Sequence, residues 1–255
     1  MLPEYHSLDR ETPLFRTPFG KFAFRVVSLP FFSFLFCVLW SVVFYFDRAT
    51  ATHCHVYNFL PSISAAIGSY QPQRFIWQVA ICAHAVPRFM VAYMYLRYYR
   101  SCVRKRWHFL VNSATMLNVV ENGALLGLSL FTSVDSYEIH KFCFITFIAT
   151  SELYMLVSYI MNINLRRGDS LTKLEDKSIR FKGYLCLINI VSFSLAGYFF
   201  LRHNSYCEPG VYSLFALFEY IVVLTNMGFH MTAYWDFHGR WISFSWTTGL
   251  YFSQN

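Results

Sequence analysis

The sequence predicts an all-α membrane protein: one polytopic domain spanning residues 1–255, built as a bundle of six transmembrane helices with both termini in the cytosol. Three observations predict it: an apolar composition, six stretches of spanning length, and a lopsided distribution of Lys and Arg. Of 255 residues, 56% are hydrophobic and 20% aromatic, while only 14% are charged; a soluble domain carries about 25% charged residues. A soluble core could not hide so much apolar surface, which excludes an ordinary soluble enzyme. The formal charge of +7 would suit a nucleic-acid binder. The positions of the charges assign them to topology instead, and no nucleic-acid partner is expected.

A helical span needs about 20 predominantly apolar residues. The six stretches are Val26–Phe46, Phe75–Leu96, Phe109–Phe131, Phe142–Asn162, Phe181–Leu201 and Val211–Trp235. The first is too long for a signal-peptide core and has no small-residue cleavage site behind it, so it reads as a retained signal anchor. The second is the weakest, because His84, Pro87 and Arg88 interrupt it; the alternative is a five-span chain. Charge decides between them. Six spans put Arg10, Arg16, Lys21 and Arg25, then Arg97, Arg100, Arg104, Lys105 and Arg106, on one side. The same side receives Arg166, Arg167, Lys173, Lys177, Arg180, Lys182 and Arg240. The other side holds Arg48, Arg74, Lys141 and Arg202. Basic loops stay cytosolic, and five spans would destroy the asymmetry. Trp107, Trp235, Trp241 and Trp246 read as interfacial belt residues near cytosolic span ends.

Of the seven cysteines, only Cys54 and Cys207 fall in lumenal connectors. Disulfides persist in that compartment, so a Cys54–Cys207 bridge is expected. Two free thiols are the alternative. A metal on His53, Cys54 and His55 is disfavoured, since adjacent residues rarely point at one ion and no ligand-pair spacing is present.

Ionisable groups inside spans are costly and mark function by default. His84 and Arg88 are four residues apart, on one helix face. Glu121 and Asn122 sit midway along the third span, with Asn118 a turn earlier, and Glu152 midway along the fourth. Glu219, Asn226 and His230 form one stripe on the sixth, while Asn189, Ser192 and Ser194 mark the fifth. One arginine facing up to three carboxylates and a histidine suggests a polar central cavity open to the lumen. The plain alternative is packing: Arg88 pairs with Glu121 or Glu152, and the asparagines bond helices together. As chemistry, the set suits acid–base work on an ester or phosphodiester, with arginine for phosphate. No nucleophile elbow or phosphate loop is present. His230 and Asp236 stand one residue too far apart for an acyltransferase H-x-x-x-x-D pattern.

Several stretches resemble one known family, post-GPI attachment to proteins factor 2. They are ATHCHVYNFLPSISAAIG (Ala51–Gly68), PQRFIW (Pro72–Trp77), AVPRF (Ala85–Phe89), LNVVEN (Leu117–Asn122) and RHNSYCEPGVYSLFALFEYIVVLTNMGFHMTAYWDF (Arg202–Phe237). The resemblance extends along nearly the whole chain and is weakest in the cytosolic connectors. It implies a multi-pass protein of the Golgi membrane, with the endoplasmic reticulum membrane as a second location. It also implies fatty-acid remodelling of GPI anchors, by reacylation of a lyso-GPI intermediate with a saturated chain. Arg202, His203 and Asn204 would then help form the lumenal mouth, held over the cavity by Cys207.

Two hypotheses follow. In the first the bundle is the lyso-GPI acyltransferase. His84, Glu121, Glu152 and Glu219 are the candidate acids and bases. Arg88, Asn122, Arg202, His203, Asn226 and His230 are the candidate substrate-binding residues. In the second the chain is a non-catalytic lipid-binding or scaffold subunit presenting GPI to a partner acyltransferase. A transporter ranks last, because only Pro87 breaks a span and paired broken helices are the transporter signature. The expected partners are the GPI lipid of GPI-anchored proteins and membrane lipids. No resident cofactor or metal is expected, and the acyl donor is left open between acyl-CoA and phospholipid.

Overall fold

The structure, a computed structural model, describes residues 13–68, 70–166, 171–246 and 249–254. Arg10 and Arg167, two cations of the charge argument, lie outside the described residues. In chain order the elements are β1 (Phe15–Pro18), α1 (Phe19–Phe44), α2 (Phe46–Ala49), α3 (Ile63–Gly68), α4 (Gln73–Cys102), α5 (His108–Leu130), α6 (Tyr137–Asn164), α7 (Lys173–Tyr206), α8 (Val211–Met231), α9 (Ala233–Asp236), β2 (Arg240–Ser245) and β3 (Gly249–Gln254).

A long helix forms at each of the six apolar stretches. Among the described residues, five helical segments are long and apolar enough to cross a membrane: α1, α4, α6, α7 and the run Val211–Asp236 from α8 into α9. The helix below that mark is α5, not the α4 that the sequence made weakest. Asn112, Asn118, Glu121 and Asn122 dilute its 23 residues. Pro87 does not break α4, which runs unbroken through 30 residues. Proline removes one backbone N–H, and a helix held by its neighbours tolerates that loss.

The all-α expectation omits a sheet. β1, β2 and β3 form an antiparallel sheet in the order β1-β2-β3, with Phe15 opposite Phe244 and Trp241 opposite Ser253. It joins the two ends of the chain at the basic end of the bundle. Trp241 therefore sits in a strand, where the Arg16 guanidinium lies 4.7 Å from its ring centroid.

Polarity is inverted relative to a soluble protein. Phe32, Leu39, Val43, Phe142, Leu187 and Leu201 are exposed, while Gln73, Asn118, Glu121, Lys182 and Asn189 are buried. An outer surface this apolar faces lipid, and the interior polar groups bond helix to helix. Gln73 Nε2 donates to Ser41 Oγ (3.0 Å), Trp77 Nε1 to Ser129 Oγ (3.0 Å), Asn162 Nδ2 to Tyr99 Oη (3.0 Å) and Asn189 Nδ2 to Thr225 Oγ1 (2.7 Å). Each such bond contributes on the order of 0.6 kcal/mol in a membrane. Near the basic end, the buried Lys182 Nζ reaches Asp236 Oδ2 (2.5 Å), which also accepts from Tyr95 Oη (2.7 Å).

At the opposite end the connector after α1 folds back over the bundle. Cys54 and Cys207 form a disulfide, with Cα atoms 5.3 Å apart. Cys207 caps α7 in the left-handed conformation, and Gly210 (φ 76°) opens α8, so residues 202–206 form the last turn of α7 and residues 207–210 make a tight reversal. That φ suits glycine. Beyond the bridge, Gly210 N donates to the Tyr57 carbonyl (2.8 Å). Phe59 N and Leu60 N donate to Ser213 Oγ (2.7 and 3.1 Å), and Tyr220 Oη donates to the Pro61 carbonyl (2.5 Å).

The bridge closes a loop of 153 residues, so its loss costs roughly 2–4 kcal/mol. Mass spectrometry of unreduced protein should recover a linked Cys54–Cys207 peptide pair. Cys54→Ser should lower the thermal midpoint in detergent. Full alkylation of both thiols without reductant would contradict the assignment.

Candidate functional site

An elongated cavity of about 200 Å³ lies inside the bundle, lined by all six long helices and α3. Along α4 its lining runs from Trp77 to Arg88, and along α8 from Phe215 to Met227. At 1.5 Å per residue that is about 17 Å, close to one leaflet's share of a hydrocarbon core of about 30 Å. The wall is overwhelmingly apolar, with Ile81, Leu125, Phe147, Ile148 and Val222 among its side chains. The polar groups gather at its two ends, which corrects the expectation of a polar chamber.

The inner end rests on one carboxylate. Glu121, on α5, is fully buried. Its Oε1 accepts from Arg88 Nη2 on α4 (2.9 Å), and from Asn226 Nδ2 (3.0 Å) and His230 Nε2 (2.9 Å) on α8. Arg88 Nη2 also lies 2.6 Å from His230 Nε2, and Asn226 Nδ2 donates to Ser151 Oγ on α6 (2.6 Å). Tyr154 stacks on His230, with ring centroids 5.4 Å apart. Three helices, α4, α5 and α8, therefore meet at one oxygen, and α6 joins them through Ser151 and Asn226. The pattern follows from spacing: Asn226 and His230, four residues apart, share a face of α8. Beneath the cluster, toward the sheet, Phe19, Tyr95, Tyr99, Phe229 and Phe237 pack into a solid aromatic layer.

His84 stands one turn from Arg88 and lines the cavity. Its Nδ1 lies 2.8 Å from the Val26 carbonyl on α1. A carbonyl only accepts, so Nδ1 carries a proton, and in the neutral ring Nε2 holds the lone pair.

The outer end is the turn into α3. Glu219 Oε2 accepts from Ile63 N (2.9 Å), fixing the start of that helix. Ser41 Oγ donates to the Ala66 carbonyl (3.0 Å). Between these ties Ser64 faces the cavity, its Oγ 2.9 Å from His140 Nε2 on α6. His140 Nδ1 lies 2.8 Å from the Phe131 carbonyl.

The sequence-selected residues thus separate. Arg88, Glu121, Asn226 and His230 come together, with His84 beside them. Arg88 faces one carboxylate and not three. Glu219 is at the other end of the cavity. Glu152 stands apart on α6, with neither carboxylate oxygen hydrogen-bonded among the described residues. Asn122 Nδ2 donates to Asn118 Oδ1 (3.2 Å) within α5. Arg202 is half-exposed and chelates Glu208 (2.6 and 3.0 Å), which holds the Glu208 carboxyl below its usual range. His203 is fully buried, 3.1 Å from Thr52 Oγ1, and packs beside His53 under the disulfide. His53, Cys54 and Cys207 cluster tightly enough for a metal, but bridged sulfurs are not thiolates, the form that binds metal. Ser64 and His140 were missed. Ser64 lies within the quoted PSISAAIG run, and nothing in the sequence connects it to a histidine 76 residues away.

Residues 18–240 match the family described as Frag1/DRAM/Sfk1/Cwh43P N-terminal domain. The chain is 52% identical, over 100% of both chains, to a Drosophila melanogaster protein named post-GPI attachment to proteins factor 2. It is 45% identical to a Xenopus tropicalis protein named acyltransferase PGAP2, covering 89% of this chain and 90% of that one. A Danio rerio protein of the same name is 40% identical over 81% of this chain and 90% of its own. No solved structure matches the chain.

Removing one partner of a buried ion pair costs about 3–5 kcal/mol, because the other charge is stranded. Glu121→Ala should therefore lower the thermal midpoint sharply, and Arg88→Met combined with Glu121→Leu should recover much of it. A Glu121→Ala protein as stable as the parent would remove the cluster's structural role.

Proposed function

The chain belongs to the post-GPI attachment to proteins factor 2 family, and from that premise we propose that it transfers a fatty-acyl chain onto a lyso-GPI lipid. The observation that carries the reading is the cavity: apolar along its wall, about one leaflet deep, and polar at both ends. Such a slot suits a single acyl chain, with the reacting ester at the α3 end.

The two ends differ in role. Arg88, Asn226 and His230 are tied together through Glu121 Oε1, which suits a fixed floor beneath the chain's methyl end. Glu219 holds the α3 turn where the ester would sit. The sheet, which pairs β1 with β2 and β3, lies at the basic end, which is cytosolic on the charge rule. The disulfide end then faces the lumen, where GPI-anchored proteins are found and disulfides persist. Golgi membranes, with those of the endoplasmic reticulum, are the proposed location.

The test is reconstitution of the pure protein in liposomes with lyso-GPI and a labelled acyl donor, supplied in separate arms as phospholipid and as acyl-CoA. Label should appear in GPI. Ala196→Phe, which places a ring on the cavity wall, should reduce turnover at least tenfold while leaving the thermal midpoint within a few degrees. Folded protein that binds lyso-GPI yet transfers no label from either donor would favour a presenting subunit that hands the lipid to a separate acyltransferase.

A further inference from the structure

We infer that Ser64 and His140 form a nucleophile–base dyad that carries the acyl group covalently during transfer. The inference rests on the acyl-transfer reading above and adds the chemical step to it.

The tautomer follows from the partners. His140 Nδ1 lies 2.8 Å from the Phe131 carbonyl oxygen, which can only accept, so the proton is on Nδ1. In the neutral ring Nε2 then carries the lone pair. The group 2.9 Å from it is the Ser64 hydroxyl, which must be the donor. A serine donating to a histidine whose other nitrogen is held by a third group is the arrangement of an activated serine nucleophile. Here a backbone carbonyl does what a carboxylate does in a triad: it fixes the ring and its tautomer.

Placement agrees with the chemistry. Ser64 lines the cavity while His140 is buried behind it. Ser64 is on a helix pinned from both sides, by the Glu219 carboxylate on Ile63 N and by Ser41 on the Ala66 carbonyl. Rigid placement of the nucleophile is what a covalent step requires. Both residues sit at the disulfide end of their helices, where the apolar slot meets the headgroup region and a lipid ester would lie.

The step balances without any redox partner. The donor is a fatty-acyl ester or thioester. Ser64 Oγ attacks its carbonyl carbon as the hydroxyl proton passes to His140 Nε2. The bond from that carbon to the donor's leaving oxygen or sulfur breaks, and the leaving group takes the proton from His140. The acyl group is now esterified to Ser64. The lyso-GPI hydroxyl then attacks the same carbon and gives its proton to His140 Nε2. The bond to Ser64 breaks, and Ser64 Oγ takes the proton back.

A long-chain alkyl fluorophosphonate, which reacts with activated serines, is the probe. Incubated with the full-length protein in liposomes, it should label Ser64, as read by peptide mass spectrometry. Labelling should vanish in Ser64→Ala and fall at least tenfold in His140→Gln. In the reconstituted assay both variants should lose transfer at least a hundredfold with thermal midpoints close to the parent's. An acyl–Ser64 peptide should accumulate when donor is supplied without acceptor. If Ser64→Ala transfers label at the parental rate, the dyad is only a tie between α3 and α6, and the acyl-transfer reading stands. If the parent neither transfers label nor reacts with the probe, both readings fall together. Should Ser64→Ala prove unfolded, the result rests on the probe and the acyl–Ser64 peptide in the parent protein, and absence of both there overturns the inference.

Discussion

The buried pairing of Arg88 with Glu121 is the constraint on which the rest of the bundle depends. A charge in hydrocarbon is tolerated only when it is paired or hydrated. Glu121 therefore pulls α4 toward α5 through Arg88, and α8 toward both through Asn226 and His230. Asn226 brings in α6 through Ser151. Removing any of these groups strands another, so the cluster specifies one packing of four helices where apolar surfaces alone would allow several. Lipid tails compete with apolar side chains for contact, so in a membrane polar ties of this kind select the partner face.

That constraint sets the inner end of the cavity, where Arg88 and Asn226 line it. The cluster and the aromatic layer beneath it close the basic end, where Lys182 and Asp236 form a second buried pair. At the other end the chain uses a covalent bridge and several backbone hydrogen bonds to lay the α1–α4 connector across the mouth. Glu219 belongs to this second set: its carboxylate bonds to a backbone N–H and so shapes the α3 turn. Space remains between the two anchors because small residues line part of the wall. Gly197 on α7 borders the cavity, and a Cβ built there would meet no atom within 4 Å.

The helices were legible because each needs only a local run of apolar residues and a charge at its ends. The disulfide was legible from compartment, since two cysteines alone fell in connectors on one side. The sheet was not, because β1 and β2 are short strands from opposite ends of the chain and their pairing leaves no local trace. The central cluster was half legible. Helical spacing put His84 with Arg88, and Asn226 with His230, on shared faces. Rotation of each helix about its axis decides which face meets which, and spacing is silent on that. Glu152 therefore looked equivalent to Glu121, yet it neighbours Ser151 in sequence and, among the described residues, makes no hydrogen bond to the cluster. Ser64 and His140 were illegible for a stronger reason: neither is unusual where it stands, and only the folded connector brings them within 2.9 Å.

The central claim is that one acyl chain lies along the cavity with its ester at α3 and its methyl end at the Glu121 floor. Photo-crosslinking with two diazirine lipids tests it most directly, one carrying the diazirine near the ester and the other near the chain terminus. The account gives crosslinks on α3 and the first turns of α6 for the first probe, and on α4 around His84 and Arg88 for the second. Crosslinks confined to outward residues such as Leu39, Phe142 and Leu187, or a depth order reversed between the probes, would contradict it.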